Sequence, residues 1–176
     1  MNRRSRTISA IALVLVAGCA AAAPVEESAA RISVAFIDPE KFTDARRAEL
    51  EPTSAGVVGE LQKFIITTGA RYMPENMKMN IRVTDIDLAG DFELFRGPTA
   101  DQVRIVKGLY PPHIVLEFEI VDSAATVIKS GKRDLTDINY QLRSVYPRED
   151  HLRYEKDILR DWLRAELGVL KTAKTN

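Results

Sequence analysis

The chain has 176 residues, 25 basic and 25 acidic side chains, 45% hydrophobic residues and a single cysteine. That length suits one domain and is short for two. The even charge, with KSGKR (129–133) as the one compact basic cluster beyond the first seven residues, speaks against a nucleic-acid-binding face, and one cysteine rules out a disulfide framework.

The N-terminus has the order of an export signal. Arg3, Arg4 and Arg6 form a basic head, followed by the apolar run Ile8 to Ala17. Ten helical residues rise only ~15 Å, half of a ~30 Å hydrocarbon core, so the run is a signal core and not a membrane span. Val16-Ala17-Gly18-Cys19 resembles the lipobox of bacterial lipoproteins, in which the cysteine is acylated and becomes the new N-terminus. The alternative is an ordinary secretory cleavage among Ala20 to Ala23 that discards Cys19. Ala20 stands where an aspartate would signal inner-membrane retention, so the resemblance implies the outer membrane. Expected organisation is a signal at 1–18, a lipidated cysteine and tether at 19–31, one domain at 32–168 and a loose polar tail at 169–176. Removing residues 1–18 with their three arginines leaves 158 residues and a net charge near −3.

Within the domain, Ile32, Val34 and Phe36 alternate with Ser33 and Ala35, as in a half-buried strand closed by Pro39. Thr53 and Ser54 offer an N-cap for a helix to about Ala70, with an apolar stripe through Val57, Leu61 and Ile65. Lys78 to Leu88 reads as a strand with Met79, Ile81 and Val83 on one face and Arg82, Thr84 and Ile86 on the other. QVRIVK (102–107), between two turn signals, is assigned as a short strand. His113 to Asp122 alternates cleanly, with Ile114, Leu116, Phe118 and Ile120 inward. A three-residue loop then leads into a strand from Thr126 to Leu135 and sets Glu119 opposite Lys129. Pro147 to Leu167 carries helical periodicity through Leu159, Trp162 and Leu163, with Gly168 as its stop. The expected fold is α+β: a mostly antiparallel sheet of four to five strands with two main helices on one face.

Among possible sites, TDIDLAGDFE (84–93) concentrates Asp85, Asp87, Asp91 and Glu93. A hard cation needs several such oxygens, but Ala89 takes the third acidic position of a calcium loop and Arg96 the place of its bidentate glutamate. The alternative is a strand end whose acids cap the turn and pair with Arg82 or Arg104. Glu117 and Glu119 share a face, as glycosidase carboxylates do, on a side where charge is expected anyway. His151 and Glu155 have a zinc-compatible helical spacing, with His113 the other histidine available as a further ligand. No nucleophile elbow, phosphate loop or dinucleotide fingerprint occurs, so no catalytic residue and no cofactor are assigned. Tyr110-Pro111-Pro112, with Tyr140, Tyr146 and Tyr154, forms either a partner-binding surface or the edge of the core.

FIDPEKFTD (36–44), VTDIDLAGDFE (83–93), YPP followed by LEFEIVD (110–122), DLTDINY (134–140) and YEKDILRDWL (154–163) resemble exported bacterial proteins of domain of unknown function family 3016. The resemblance spans roughly residues 32–165 and implies export and one domain, with no catalytic residues. The expected function is a non-catalytic cell-envelope lipoprotein, a protein-binding or structural module held to the membrane through Cys19, with an envelope protein as its possible partner. The alternative is a periplasmic metal- or small-ligand-binding protein or hydrolase using the acidic loop from Asp85 to Glu93.

Overall fold

The computed structural model describes residues 31–46, 55–92, 104–143 and 147–172. The expectations placed on Cys19, Thr53, Ser54, Glu93 and Tyr146 lie outside the described residues. Four strands form the main sheet: β1 (Ile32–Phe36), β2 (Met77–Asp87), β5 (His113–Asp122) and β6 (Val127–Thr136), in the order β1-β2-β5-β6. Two-residue strands β3 (Asp91–Phe92) and β4 (Arg104–Ile105) make a separate ribbon, so the strand expected in QVRIVK survives as a short pair. β1 and β2 run parallel, joined through helix α1 (Ala55–Gly69); the other pairings in the main sheet are antiparallel. The fold is α+β, with α1 and α2 (Arg153–Thr172) packed on one face of the sheet.

That face forms the core. Ile32 and Val34 from β1, Met79, Ile81 and Val83 from β2, and Ile114, Leu116, Phe118 and Ile120 from β5 are all buried. Val57, Leu61 and Ile65 of α1 and Leu159, Trp162, Leu163 and Leu167 of α2 cover them. Trp162 meets Phe118 edge-on, with ring centroids 5.8 Å apart, a favoured aromatic geometry. The opposite face is wet: Arg82 stands opposite Glu117, and Glu117 opposite Lys132. Glu117 and Glu119 are therefore members of a polar surface ladder, as their alternation predicts.

Three expectations are corrected. Ile86 is buried at 1% exposure and not on the face of Arg82, because the pairing of β2 with β5 shifts by one residue between Val83 and Asp85. The bulge leaves Thr84 without a cross-strand partner and reverses the parity of everything after it. A second shift, between Ile120 and Val121, puts Ser130 opposite Glu119 and Lys129 opposite Ile120; the loop has four residues, with Ala125 at φ 61°. Lys129 consequently faces the helices, where it pairs with Glu166 at 2.5 Å. The last helix begins at Arg153 and runs through Gly168 to Thr172, beyond the expected stop. A glycine inside a helix costs about 1 kcal/mol, too little to end one held by the buried row from Leu159 to Leu167.

The corrected face of Ile86 is directly testable. Ile86→Ala should cost about 2–5 kcal/mol, as for a core isoleucine. Urea unfolding measures it, and a loss below about 0.5 kcal/mol would return Ile86 to the wet face.

Candidate functional site

At one end of the sheet, Asp87 of β2, His113 of β5 and Thr136 of β6 stand in register across three strands. The chain after β1 continues beside β2: the Asp44 N–H donates to the Ile86 carbonyl, and the Leu88 N–H to the Asp44 carbonyl, both at 2.9 Å. Between these segments lies a cleft of about 480 Å³. Asp44, Asp87, Asp91, Asp134, His113 and Arg46 supply its polar wall, and Leu88, Leu109, Tyr110 and Pro111 its apolar lip.

Arg104 ties the wall together. Its guanidinium donates to an Asp44 carboxylate oxygen (2.7 Å) and to the carbonyls of Arg46 (3.0 Å) and Gly90 (2.6 Å), and lies 4.6 Å from the Phe92 ring centroid. Gly90 has φ +83°, and a Cβ there would sit 2.7 Å from the Ile105 carbonyl oxygen, so only glycine fits this turn without strain. Its N–H donates to the Tyr110 carbonyl and draws the YPP segment onto the cleft. Beneath the same turn, buried Glu155 accepts a 2.6 Å hydrogen bond from the Ala89 N–H, and its other oxygen has no partner.

Two acids are held toward their neutral form. Burial raises the Asp87 pKa, and the neighbouring charges of Asp44 and Asp85 add to it against His113 and Arg104. Burial likewise raises Glu155, opposed by its backbone hydrogen bonds and by Arg104 and Arg153. His113 Nε2 lies 2.6 Å from Asp134, so the cleft holds a histidine–carboxylate pair beside Asp87.

The acids singled out in the sequence divide. Asp87 and Asp91 line the cleft. Asp85 is spent on structure, accepting from the Thr43 N–H (2.7 Å) and hydroxyl (2.8 Å). Arg104 pairs with Asp44 and, among the described residues, with none of Asp85, Asp87 and Asp91. Tyr110 and Pro111 belong to the lip, whereas Pro112 is buried. Tyr140 is core, its hydroxyl donating to the Lys107 carbonyl and its ring meeting Tyr154 edge-on.

The sequence does not single out Asp44, Arg46 and Asp134 as site residues; Asp44 and Asp134 lie at the ends of the family-like segments 36–44 and 134–140 and reach the cleft only by long-range register. His151 and Glu155 do not converge: His151 precedes the helix, and Glu155 points into the core. His151 instead approaches Glu60 and Asp150, but the Lys156 ammonium already bridges those carboxylates at 2.5 and 2.6 Å. Among the described residues no other group of three such side chains reaches metal-ligand spacing, the acids of the cleft included.

Glu155 yields a signed prediction. A carboxyl whose folded pKa is raised contributes its stability below the ordinary value near 4.3 and loses it as pH rises. Glu155→Gln keeps an acceptor for the Ala89 N–H without the charge, so its stability relative to the native chain should improve from pH 4.5 to pH 8. Glu155→Ala should lose about 1–3 kcal/mol by orphaning that N–H. Chemical unfolding at the two pH values reads both, and an unchanged gap for the glutamine variant would mean Glu155 is as ionised folded as unfolded.

No curated protein and no solved structure shows significant similarity to this chain. A family model described as a protein of unknown function (DUF3016) matches residues 30–165, spanning the strands, all of α1, α2 as far as residue 165 and every described wall of the cleft. The chain belongs to the DUF3016 family.

Proposed function

We propose that this chain is an exported cell-envelope lipoprotein, anchored through Cys19, whose domain is a non-catalytic module that receives a basic segment of an envelope partner. The observation that carries this reading is the make-up of the cleft: Asp87, Asp91 and Asp134 stand around an apolar lip of Leu109, Tyr110 and Pro111. A lysine or arginine side chain beside an apolar neighbour is the complement of such a site, since the cation meets carboxylates and its stem covers the lip. Leu109 is 76% exposed and lacks the cover expected of a large aliphatic side chain. Support for the anchor is the lipobox-like VAGC at residues 16–19.

A second reading, a hydrolase or metal-dependent site, is favoured by the His113–Asp134 pair beside Asp87. The arrangement of the other acids argues for the binding module, because Asp44 is committed to Arg104 and Asp85 to Thr43.

Thermal unfolding separates the two. Short peptides carrying Lys-Leu or Arg-Phe pairs should raise the melting temperature by several degrees near 100 times their dissociation constant, about 2.7 kcal/mol. Asp87→Asn with Asp134→Asn should abolish the rise. A rise with Ca²⁺, Mg²⁺ or Zn²⁺ reversed by EDTA, and none with the peptides, would overturn the module in favour of a metal site. Intact mass of the native protein from membranes should show a chain starting at an acylated Cys19; an unmodified start among Ala20 to Ala23 would overturn the anchor.

A further inference from the structure

β1 enters the sheet at Ile32, paired with Met79 near the start of β2, and runs toward the cleft, which lies at the far end beyond Asp87. The eleven residues of β2 separate the two ends by roughly 33 Å. Residues 20–31 span at most ~40 Å fully extended and enter the domain at the start of β1, so that end is the one nearest along the chain to an anchor at Cys19.

The same end carries uncovered apolar groups. Val127 and Ile128 of the β5–β6 hairpin are 50% and 45% exposed, and Val169 of α2 is 66% exposed. Val169 lies one turn past Glu166, which pairs with Lys129 and so fixes that end of the helix beside the hairpin. Basic side chains outnumber acids here: Arg31, Arg71, Lys78 and Lys129, against Glu75, Asp122 and the Glu166 that pairs with Lys129. Asp122 is turned onto the hairpin loop, accepting from the N–H groups of Ala124 and Thr126. The cleft end has the reverse sign, with Asp44, Asp87, Asp91 and Asp134 against Arg46 and Arg104.

We propose that the hairpin end, with Val127, Ile128 and Val169 as its apolar contacts, rests on the anionic bilayer that holds the acyl chains and points the cleft away from the membrane. The occupant is committed by the place where the anchored segment enters and by the sign of the charge: anionic headgroups attract this end and repel the other. The inference rests on the lipoprotein reading, and its test bypasses acylation. Cys19 is the only thiol, so the chain from Cys19 onward can be coupled there to a maleimide lipid on vesicles of phosphatidylethanolamine and phosphatidylglycerol with brominated acyl chains.

Two reporters are compared, Ile128→Trp at the hairpin and Leu109→Trp at the cleft, each over the buried Trp162 as common background. Bromine should quench the Ile128→Trp emission at least twofold more than that of Leu109→Trp. Lys78→Glu, or phosphatidylcholine vesicles, should shrink the difference. Val169→Trp serves as a second hairpin-end reporter should Ile128→Trp perturb the turn. Equal quenching at the two ends, or none at the hairpin end, overturns the docking even where native Cys19 proves acylated. Quenching that appears only at high surface density overturns it in favour of contact between copies of the chain. An unacylated native chain with preferential quenching on the coupled vesicles would sink the anchor and leave the membrane-facing end standing.

Discussion

One extra residue in β2 organises the cleft end of the molecule. In an unbroken strand, Asp85 and Asp87 would continue the face of Met79, Ile81 and Val83 and lie in the core, while Ile86 would face water. The register shift at Thr84 exchanges them, so Ile86 is buried and both aspartates stand on the wet side. Burying two unpaired carboxylates would cost several kcal/mol each, far more than the local loss of ladder bonds at a bulge. The bulge thus permits one strand to serve the core for most of its length and the cleft at its end.

Charge-assisted bonds hold the chain beyond the bulge. Asp85 fastens the segment after β1 through Thr43, and Arg104 gathers Asp44, the Arg46 carbonyl and the Gly90 turn. From below, Glu155 holds the N–H of Ala89, which links the turn to the first part of α2. Such bonds are about twice as strong as neutral ones when desolvated, and here they converge on a turn that supplies little apolar area of its own. Arg104 and Glu155 are accordingly structural supports, while Asp87, Asp91, Asp134 and His113 remain turned toward the cleft.

The core was legible in the sequence wherever periodicity ran uninterrupted. The alternation of HIVLEFEIVD and the helical spacing from Leu159 to Leu167 both lead to the buried faces observed. Periodicity misleads where one residue changes phase: the bulge at Thr84 turns Ile86 inward, and the bulge near Ile128 carries Lys129 from opposite Glu119 to the helix side. Bulges depend on pairing with another strand, which no local pattern records. The cleft was half legible for the same reason. Asp87, Asp91, Tyr110 and Pro111 lie in clusters that attract notice, whereas Asp44 and Asp134 join them only through the sheet.

The parallel seam between β1 and β2 has a mechanical meaning. From Met79 to Leu88, the hydrogen bonds of β1, the Ile37–Val83 bond and the two bonds of Asp44 lie across one line parallel to the strands. Tension between a tether at Ile32 and a load seated in the cleft would pull along that line, so the bonds would share the force in shear instead of opening one after another. Under such a load the seam would resist along the axis of the sheet, and it would yield most readily to a sideways pull that peels β1 from the edge of the sheet.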